Sequence, residues 1–317
     1  MKLRRRFGSP EIGRALRRNR VTRWVTLKTL NVNRTTKATP KPPHSKSKSD
    51  AEAVALQIEG LMIQDVIQSI TSAMRKLFAN WGALLISFAL YAALVGILTL
   101  YFSTIREATT MEVLLSFAVL PLAAIVLFFT WQAMGVSYVR VGVGAGYLLK
   151  RALRDCWALI LVGLPLFALA YLTAMIPSET DPKWMGETMG EHPTLAVTLA
   201  WVRSLLLYVV WPLIAIHFWI AATREGIGAT LRSALGQVPR ALSPRPVLIY
   251  LLVVTVFGAI AYFLFFTRTP AKNEWMDLWF VGARVSLALT AIFLGWMITL
   301  GAIAELTARR AMGELEV

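Results

Sequence analysis

The sequence predicts an all-α polytopic membrane protein with six transmembrane helices and both termini on the cytoplasmic side. Three observations carry that expectation. The 317-residue chain is 56% hydrophobic and only 16% charged, whereas a soluble domain is about 45–50% apolar and about 25% charged. It contains six apolar runs of about 20 residues, the length a helix needs to cross a hydrocarbon core of about 30 Å. Its Lys and Arg residues concentrate on alternate connecting segments, the bias that sets orientation.

The first element, residues 1–50, is a basic cytoplasmic tail. It carries fifteen Lys and Arg against two acids, Glu11 and Asp50, so +13 of the formal net charge of +15 resides there. After Asn33 it reads TTKATPKPPHSKSKS, a composition that buries no core and predicts disorder. Residues 10–25 read as a short basic helix suited to anionic lipid, where each basic residue near the surface contributes about 1 kcal/mol. The same charge suits RNA phosphate, and a transit peptide is likewise Arg-rich and acid-poor. Met62 and Met74 leave open a translation-start extension. Lipid leads these readings and nucleic acid is the least favoured.

Residues 51–80 predict an amphipathic interfacial helix. Ile63, Val66, Ile67, Ile70, Ala73, Met74 and Leu77 form one stripe at helical spacing, with Gln64, Gln68, Ser72, Arg75 and Lys76 opposite. Such a helix lies in the inner headgroup plane or packs on another cytoplasmic segment. Residues 81–310 form the six-helix transmembrane domain, and 311–317 a short C-terminal tail. The expected spans are 81–102, 113–134, 156–176, 195–220, 247–266 and 278–304. Continuous apolar runs, rather than alternating ones, point to helices and not to a barrel. With the N-terminus inside, 27 Lys and Arg fall on the inner side and 6 on the outer; without the tail the bias is 12 to 6. The second outer loop, 177–194, is acidic. Trp81, Tyr101, Trp157, Trp201, Trp219, Trp275 and Trp279 fall near expected span ends, as interfacial aromatics do.

Two glycine-containing segments precede spans: GVGAGYLLKRAL at 142–153 and EGIGATLRSAL at 225–235. Neither fits a dinucleotide-binding loop. Position 147 is Tyr where the third glycine belongs, Gly226 and Gly228 have no third partner, and no strand precedes either. Glycine there suits a turn from a span into the interface plane. From Ile227 the apolar positions 227, 231, 234, 235, 238 and 242 predict one helical stripe with Arg232, Ser233 and Gln237 facing away. Leu148, Leu149, Ala152 and Leu153 similarly oppose Lys150, Arg151 and Arg154. Each outward span therefore follows an amphipathic segment, which reads as three copies of a surface helix plus a helical hairpin. Pro121, Pro165 and Pro212 sit at different depths and do not follow that repeat.

No catalytic or metal site is expected, and no cofactor. The single Cys156 excludes an intramolecular disulfide, and His44, His192 and His217 fall on separate parts of the chain. Arg203 and Arg284 lie in apolar runs but leave about 20 apolar residues beyond them, so both can snorkel to the outer interface. The sharper alternative is a groove in which both hold an anionic headgroup or pair with the acidic loop. His217 reads as a packing residue or an intramembrane polar site; with no mid-span carboxylate beside it, proton coupling is disfavoured. The lipid- or headgroup-contact candidates are thus Arg75, Lys76, Lys150, Arg151, Arg154, Arg232, Arg203 and Arg284.

The segment ATREGIGATLRSALGQVPRALSPRPVLIYLL at 222–252, following an even-numbered span, resembles bacterial six-helix membrane families. One such family is the membrane domain found beside glycerophosphodiester phosphodiesterases, with Glu225, Gly226, Ala229 and Leu231 at the positions of its inter-span segment. The resemblance covers residues 60–310. The phosphodiesterase catalytic domain has no counterpart here, so the resemblance implies no activity. Together these readings lead to a non-enzymatic scaffold or accessory subunit of the bacterial inner membrane, or alternatively the mitochondrial inner membrane. Its partners would be anionic lipid or another protein. A permease or channel subunit with a path between hairpins is the other reading.

Overall fold

The computed structural model describes residues 46–104, 109–139, 144–176, 193–267 and 273–314. The basic tail 1–45, most of the acidic loop and Lys183 lie outside them. The chain divides into two units, Met1–Ala55 and Leu56–Val317; of the first, only the start of a helix is described. The described residues are all helix and connecting turns, and six helices are long and apolar enough to cross a membrane. This is a multi-pass membrane protein.

Helix α1 (Lys46–Ala79) meets α2 (Trp81–Thr104) at Asn80. There the Asn80 side chain accepts the Ala83 N–H at 3.1 Å, an N-cap that starts a new helix where the apolar run begins. Helix α3 opens with a capping box between Thr109 and Glu112. It runs through Thr110–Leu114, a π-helical turn at Leu115–Val119, and Leu120–Ser137. Helix α4 spans Ala145–Ala174. Helix α5 comprises Pro193–Leu205, a second π turn at Leu206–Val210, and Trp211–Glu225. Two short helices follow, α6 (Ile227–Arg232) and α7 (Ala234–Ala241), then α8 (Pro244–Phe266) and α9 (Glu274–Glu314).

Both π turns lead directly into a proline one residue later, Pro121 in α3 and Pro212 in α5. Proline has no N–H, and its ring clashes with the carbonyl four residues back. A widened turn makes room for it. The Tyr208 carbonyl, which Pro212 leaves without its α-helical donor, accepts the Tyr250 hydroxyl at 2.5 Å and so ties α8 to α5. Two of the three prolines that do not follow the expected repeat therefore share one local device.

The helices differ in how deeply they sit. In α5 and α9 half or more of the most apolar window is buried inside the bundle, against less than a third in the other four. Helices α5 and α9 are central, and α2, α3, α4 and α8 present mostly outward-facing apolar side chains, as helices in lipid do. Small residues set a close crossing between α3 and α9. A Cβ at Gly135 would lie 2.5 Å from Leu300 Cδ1, and one at Gly301 would overlap the Tyr138 hydroxyl. Glycine at both points lets the two backbones approach.

Several expected elements are corrected. Residues 145–154 of the 142–154 segment are not a separate surface helix, because α4 continues unbroken from Ala145 into the span. Residues 227–242 form two short helices rather than one, with a break at Ser233 (φ −93°, ψ 8°). Their orientation also differs: Thr230, Gln237 and Ala241 are buried, while Leu231, Leu235 and Leu242 are exposed, Leu235 to 91%. Gln237 therefore faces the bundle and not away from it. Trp219 is buried and not interfacial; Trp81, Trp157, Trp201, Trp275 and Trp279 are exposed as expected.

The break after α5 rests on Gly226, at φ +85° and ψ 166°. That backbone region favours glycine, and holding a residue with a Cβ there costs about 1–3 kcal/mol. A Cβ there would meet no neighbouring atom, so any effect of Gly226→Ala is backbone strain alone. The variant is expected to destabilise the α5–α6 junction by about 1 kcal/mol, read as faster amide exchange confined to α6 and α7 with the spans unchanged.

Candidate functional site

Two regions gather polar or cavity-forming residues. The first is at the end of the bundle where α1 meets the ends of α5 and α9. The Lys76 ammonium lies 2.6 Å from Glu305 Oε2, and Arg309 Nε lies 3.5 Å from Glu305 Oε1. Arg309 also donates to Gln68 Oε1 at 3.0 Å. Arg245, at the start of α8, pairs with Asp65 of α1 at 3.1 Å. Arg224 donates to the Ala304 carbonyl at 2.8 Å, near the last turns of α9. Tyr138 donates to the Met297 carbonyl at 2.9 Å; burial pushes its phenol pKa up, with Glu305 adding to the shift, so it remains a neutral donor.

These contacts hold one face of α1 on the bundle. Val66, Ser69, Ala73 and Leu77 are buried against it. The predicted single stripe is thus split: Ile63, Ile67 and Met74 are exposed on the adjoining face, together with Phe78 and beside Arg75. Lys76 does not face away as expected but turns inward to Glu305. On α4, Asp155 takes both Arg151 (3.3 Å) and Arg154 (3.4 Å). Lys150, Arg75 and Arg232 are exposed and form no ion pair among the described residues.

A polar cavity of about 220 Å³ opens at this end, lined by His217, Arg224, Glu225, Gln237, Arg240 and Thr307, among others. His217 is buried, with Nδ1 3.0 Å from the Leu213 carbonyl. Arg203 and Arg284 lie nearer the other end of their helices and are half-buried. Arg284 Nε donates to the Phe280 carbonyl of its own helix at 3.3 Å. The acids of the second outer loop expected as their partners, Glu179, Asp181, Glu187 and Glu191, lie outside the described residues.

The second region is a cavity of about 560 Å³ inside the bundle, to which all six spans contribute. Tyr91 comes from α2, Phe128, Trp131 and Gln132 from α3, and Gly163, Leu166, Phe167 and Ala170 from α4. Helix α5 supplies Leu207, Trp211, Pro212, Ala215 and Trp219; α8 supplies Tyr250, Val254, Phe257 and Gly258; α9 supplies Ile292, Gly295 and Trp296. Interhelical hydrogen bonds surround it. Trp296 Nε1 donates to Gln132 Oε1 at 2.7 Å, and Trp211 Nε1 to Thr173 Oγ1 at 2.9 Å.

The two cavities lie on opposite faces of α5. At about 100° per residue, Leu207, Trp211, Ala215 and Trp219 fall on one side, and His217, Ala221 and Arg224 on the other. Helix α5 separates them, and neither Arg203 nor His217 lines the central cavity.

Sequence reasoning did not single out Asp65, Glu305 or Gln132. Glu305 had a signal: it is the first acid after Asp277, placed one residue past the expected end of the sixth span. Gln132 had another, being an amide inside an otherwise apolar run. Among the described residues, no group of three or more His, Cys, Asp or Glu side chains could hold a metal ion. Comparison with protein-family models, curated proteins and solved structures gives no match for this chain.

Proposed function

We propose that this chain is a non-enzymatic membrane scaffold or accessory subunit that engages anionic lipid at its α1 end. The observation behind this reading is the outward surface of three segments. Ile63, Ile67, Met74 and Phe78 flank Arg75; Tyr147 and Leu153 flank Lys150; Leu231, Leu235 and Leu242 flank Arg232. Apolar side chains beside exposed cations suit the boundary between acyl chains and anionic headgroups. The +13 charge of residues 1–50 suits the same lipid chemistry, and the bacterial inner membrane is the setting this reading adopts. A protein partner on the same surface is compatible with it.

The test is native mass spectrometry of the full chain after equilibration with phosphatidylglycerol or phosphatidylcholine. Preferential retention of phosphatidylglycerol is expected, falling about tenfold or more in the Arg75→Gln, Lys150→Gln, Arg232→Gln triple variant, at about 1 kcal/mol per charge. Equal retention of both lipids, or an unchanged preference in the variant, would sink the proposal. The permease reading draws on one feature, the proline-interrupted α5 beside the central cavity, since broken helices often border transport sites. The aromatic lining argues against an ion or polar solute as cargo.

A further inference from the structure

We propose that the polar cavity beside α5 is a binding site for a phosphate group. Arg224 of α5 and Arg240 of α7 both line it, and neither forms an ion pair among the described residues.

The guanidinium of Arg224 has a fixed place. Its Nη2 donates to the Ala304 carbonyl at 2.8 Å, just before Leu306 and Thr307, which line the cavity from α9. The side chain thus reaches from α5 to the α9 wall. A guanidinium has five N–H groups, so one bond to a carbonyl leaves most of them for a ligand. Arg240 lines the cavity from α7, and its side chain makes no hydrogen bond among the described residues. Both arginines are exposed, so an anion in the cavity can reach them. Gln237, 6% exposed, adds a buried amide to the same wall. His217 lies two turns before Arg224 in α5, about 10 Å deeper at 1.5 Å per residue, so the cavity runs from exposed arginines inward to a buried imidazole.

The charge and shape of the wall define the ligand. It carries two guanidinium groups against one carboxylate, Glu225, so its net charge is positive even with His217 neutral. The first turn of α8 borders the cavity through Pro246, and the positive partial charge of a helix start offsets the carbonyl end of α5. Two arginines repel a metal cation, and an apolar ligand would strip water from the charged groups without replacing it. Among anions, a planar carboxylate is satisfied by one guanidinium fork. A phosphate turns oxygens in several directions and suits two forks on separate helices. The volume of about 220 Å³ lies below the range of about 300–1,000 Å³ common for drug-sized ligands, so the cavity takes a headgroup-sized anion and not a whole lipid. Two sources supply this chemistry: the headgroup of a membrane phospholipid and a soluble phosphate. The cavity shares no residue with the outward surface of Arg75, Lys150 and Arg232, so its binding does not rest on that reading.

The test is isothermal titration calorimetry of the full chain in mild detergent, with sodium phosphate and with sodium acetate at matched ionic strength. One phosphate per chain is expected, with acetate binding at least about tenfold more weakly, the loss of one charge-assisted hydrogen bond. This comparison needs no variant. Arg240→Gln is expected to weaken phosphate binding about tenfold or more. Arg240→Lys keeps the charge but loses the fork, and should fall between that variant and the unaltered chain. Because Arg240 is exposed and its side chain ties no other helix, both variants should elute as the unaltered chain does. Retention of dioctanoyl phosphatidylglycerol, scored by native mass spectrometry, identifies the source. Its loss in Arg240→Gln assigns the phosphate to a lipid headgroup; unchanged retention while inorganic phosphate binding falls assigns it to a soluble phosphate. Failure of the surface reading, seen as equal retention of phosphatidylglycerol and phosphatidylcholine, would leave the inorganic phosphate result untouched. If neither probe depends on Arg240, or if acetate binds as tightly as phosphate, the proposal is overturned.

Discussion

Gly301→Ala is expected to destabilise the transmembrane bundle by about 3 kcal/mol, a large loss for one methyl group. A Cβ at this position would overlap the Tyr138 hydroxyl, and it would lie 2.6 Å from Tyr138 Cζ and 3.1 Å from Val139 Cγ2. These neighbours cannot easily yield. Tyr138 is 2% exposed and its hydroxyl is engaged with the Met297 carbonyl at 2.9 Å. Overpacking typically costs about 1–3 kcal/mol, and displacing the phenol adds the loss of a buried hydrogen bond, about 1 kcal/mol or more. The damage extends along the crossing, because Gly135 meets Leu300 on the same α3–α9 interface. Thermal unfolding in detergent reads the effect. A double-mutant cycle with Tyr138→Phe checks the cause: removing the hydroxyl takes away the atom nearest the added methyl. The double variant should then lose less than the sum of the two single variants. Simple additivity would mean that the methyl acts elsewhere.

The six spans were legible because each depends on a local property, an apolar run long enough to cross lipid. The orientation of side chains within the surface segments was not. In a soluble protein an apolar stripe marks the buried face, but beside a membrane protein and lipid both accept an apolar residue. Leu231 and Leu235 hold the apolar positions of their segment, yet they point outward, while Thr230 and Gln237 face the bundle. Thr230 can be buried because its hydroxyl donates to the Gly226 carbonyl at 2.8 Å. Trp219 was misplaced for a different reason. The helix continues to Glu225, past the expected end of the span, so a residue assigned to the interface lies inside.

The central cavity had no signal of its own in the sequence. Each helix contributes a few residues, and they meet only through the packing of all six spans. The π turns were equally hidden. Pro121 and Pro212 were visible, but proline alone does not distinguish a kink from a widened turn. Both Trp296 and Gln132 were visible as residue types, whereas their pairing across 164 positions is a product of the fold. The charged cluster was half legible: Lys76 was named as a lipid contact, but its partner Glu305 lies 229 residues away.

Glu305→Ala is expected to cost about 2 kcal/mol and to release α1 from the bundle. Glu305 is only 15% exposed and holds two cations, Lys76 at 2.6 Å and Arg309 at 3.5 Å. Fully exposed ion pairs contribute about 0–1 kcal/mol, and removing one partner of a buried pair costs about 3–5 kcal/mol. The Lys76 side chain is 26% exposed and that of Arg309 34%, so this cluster falls between those limits. The loss should be local. Lys76 belongs to α1, and Arg309 in turn holds Gln68 of α1 at 3.0 Å, so one carboxylate organises two of the polar ties to that helix. The Arg245–Asp65 pair is the third such tie, at 3.1 Å with side chains 36% and 43% exposed, and at that exposure it is too weak to hold α1 alone. Amide exchange in residues 62–79 should therefore accelerate about thirtyfold, the equivalent of about 2 kcal/mol, while α5 and the core of α9 keep their protection. Exchanging the charges, Lys76→Glu with Glu305→Lys, should recover part of the loss. It should not recover all of it, because Arg309 would then face a lysine. Uniform acceleration across all six spans would instead assign Glu305 to the stability of the whole bundle, and unchanged exchange in α1 would show that the apolar contacts of Val66, Ala73 and Leu77 suffice to hold it.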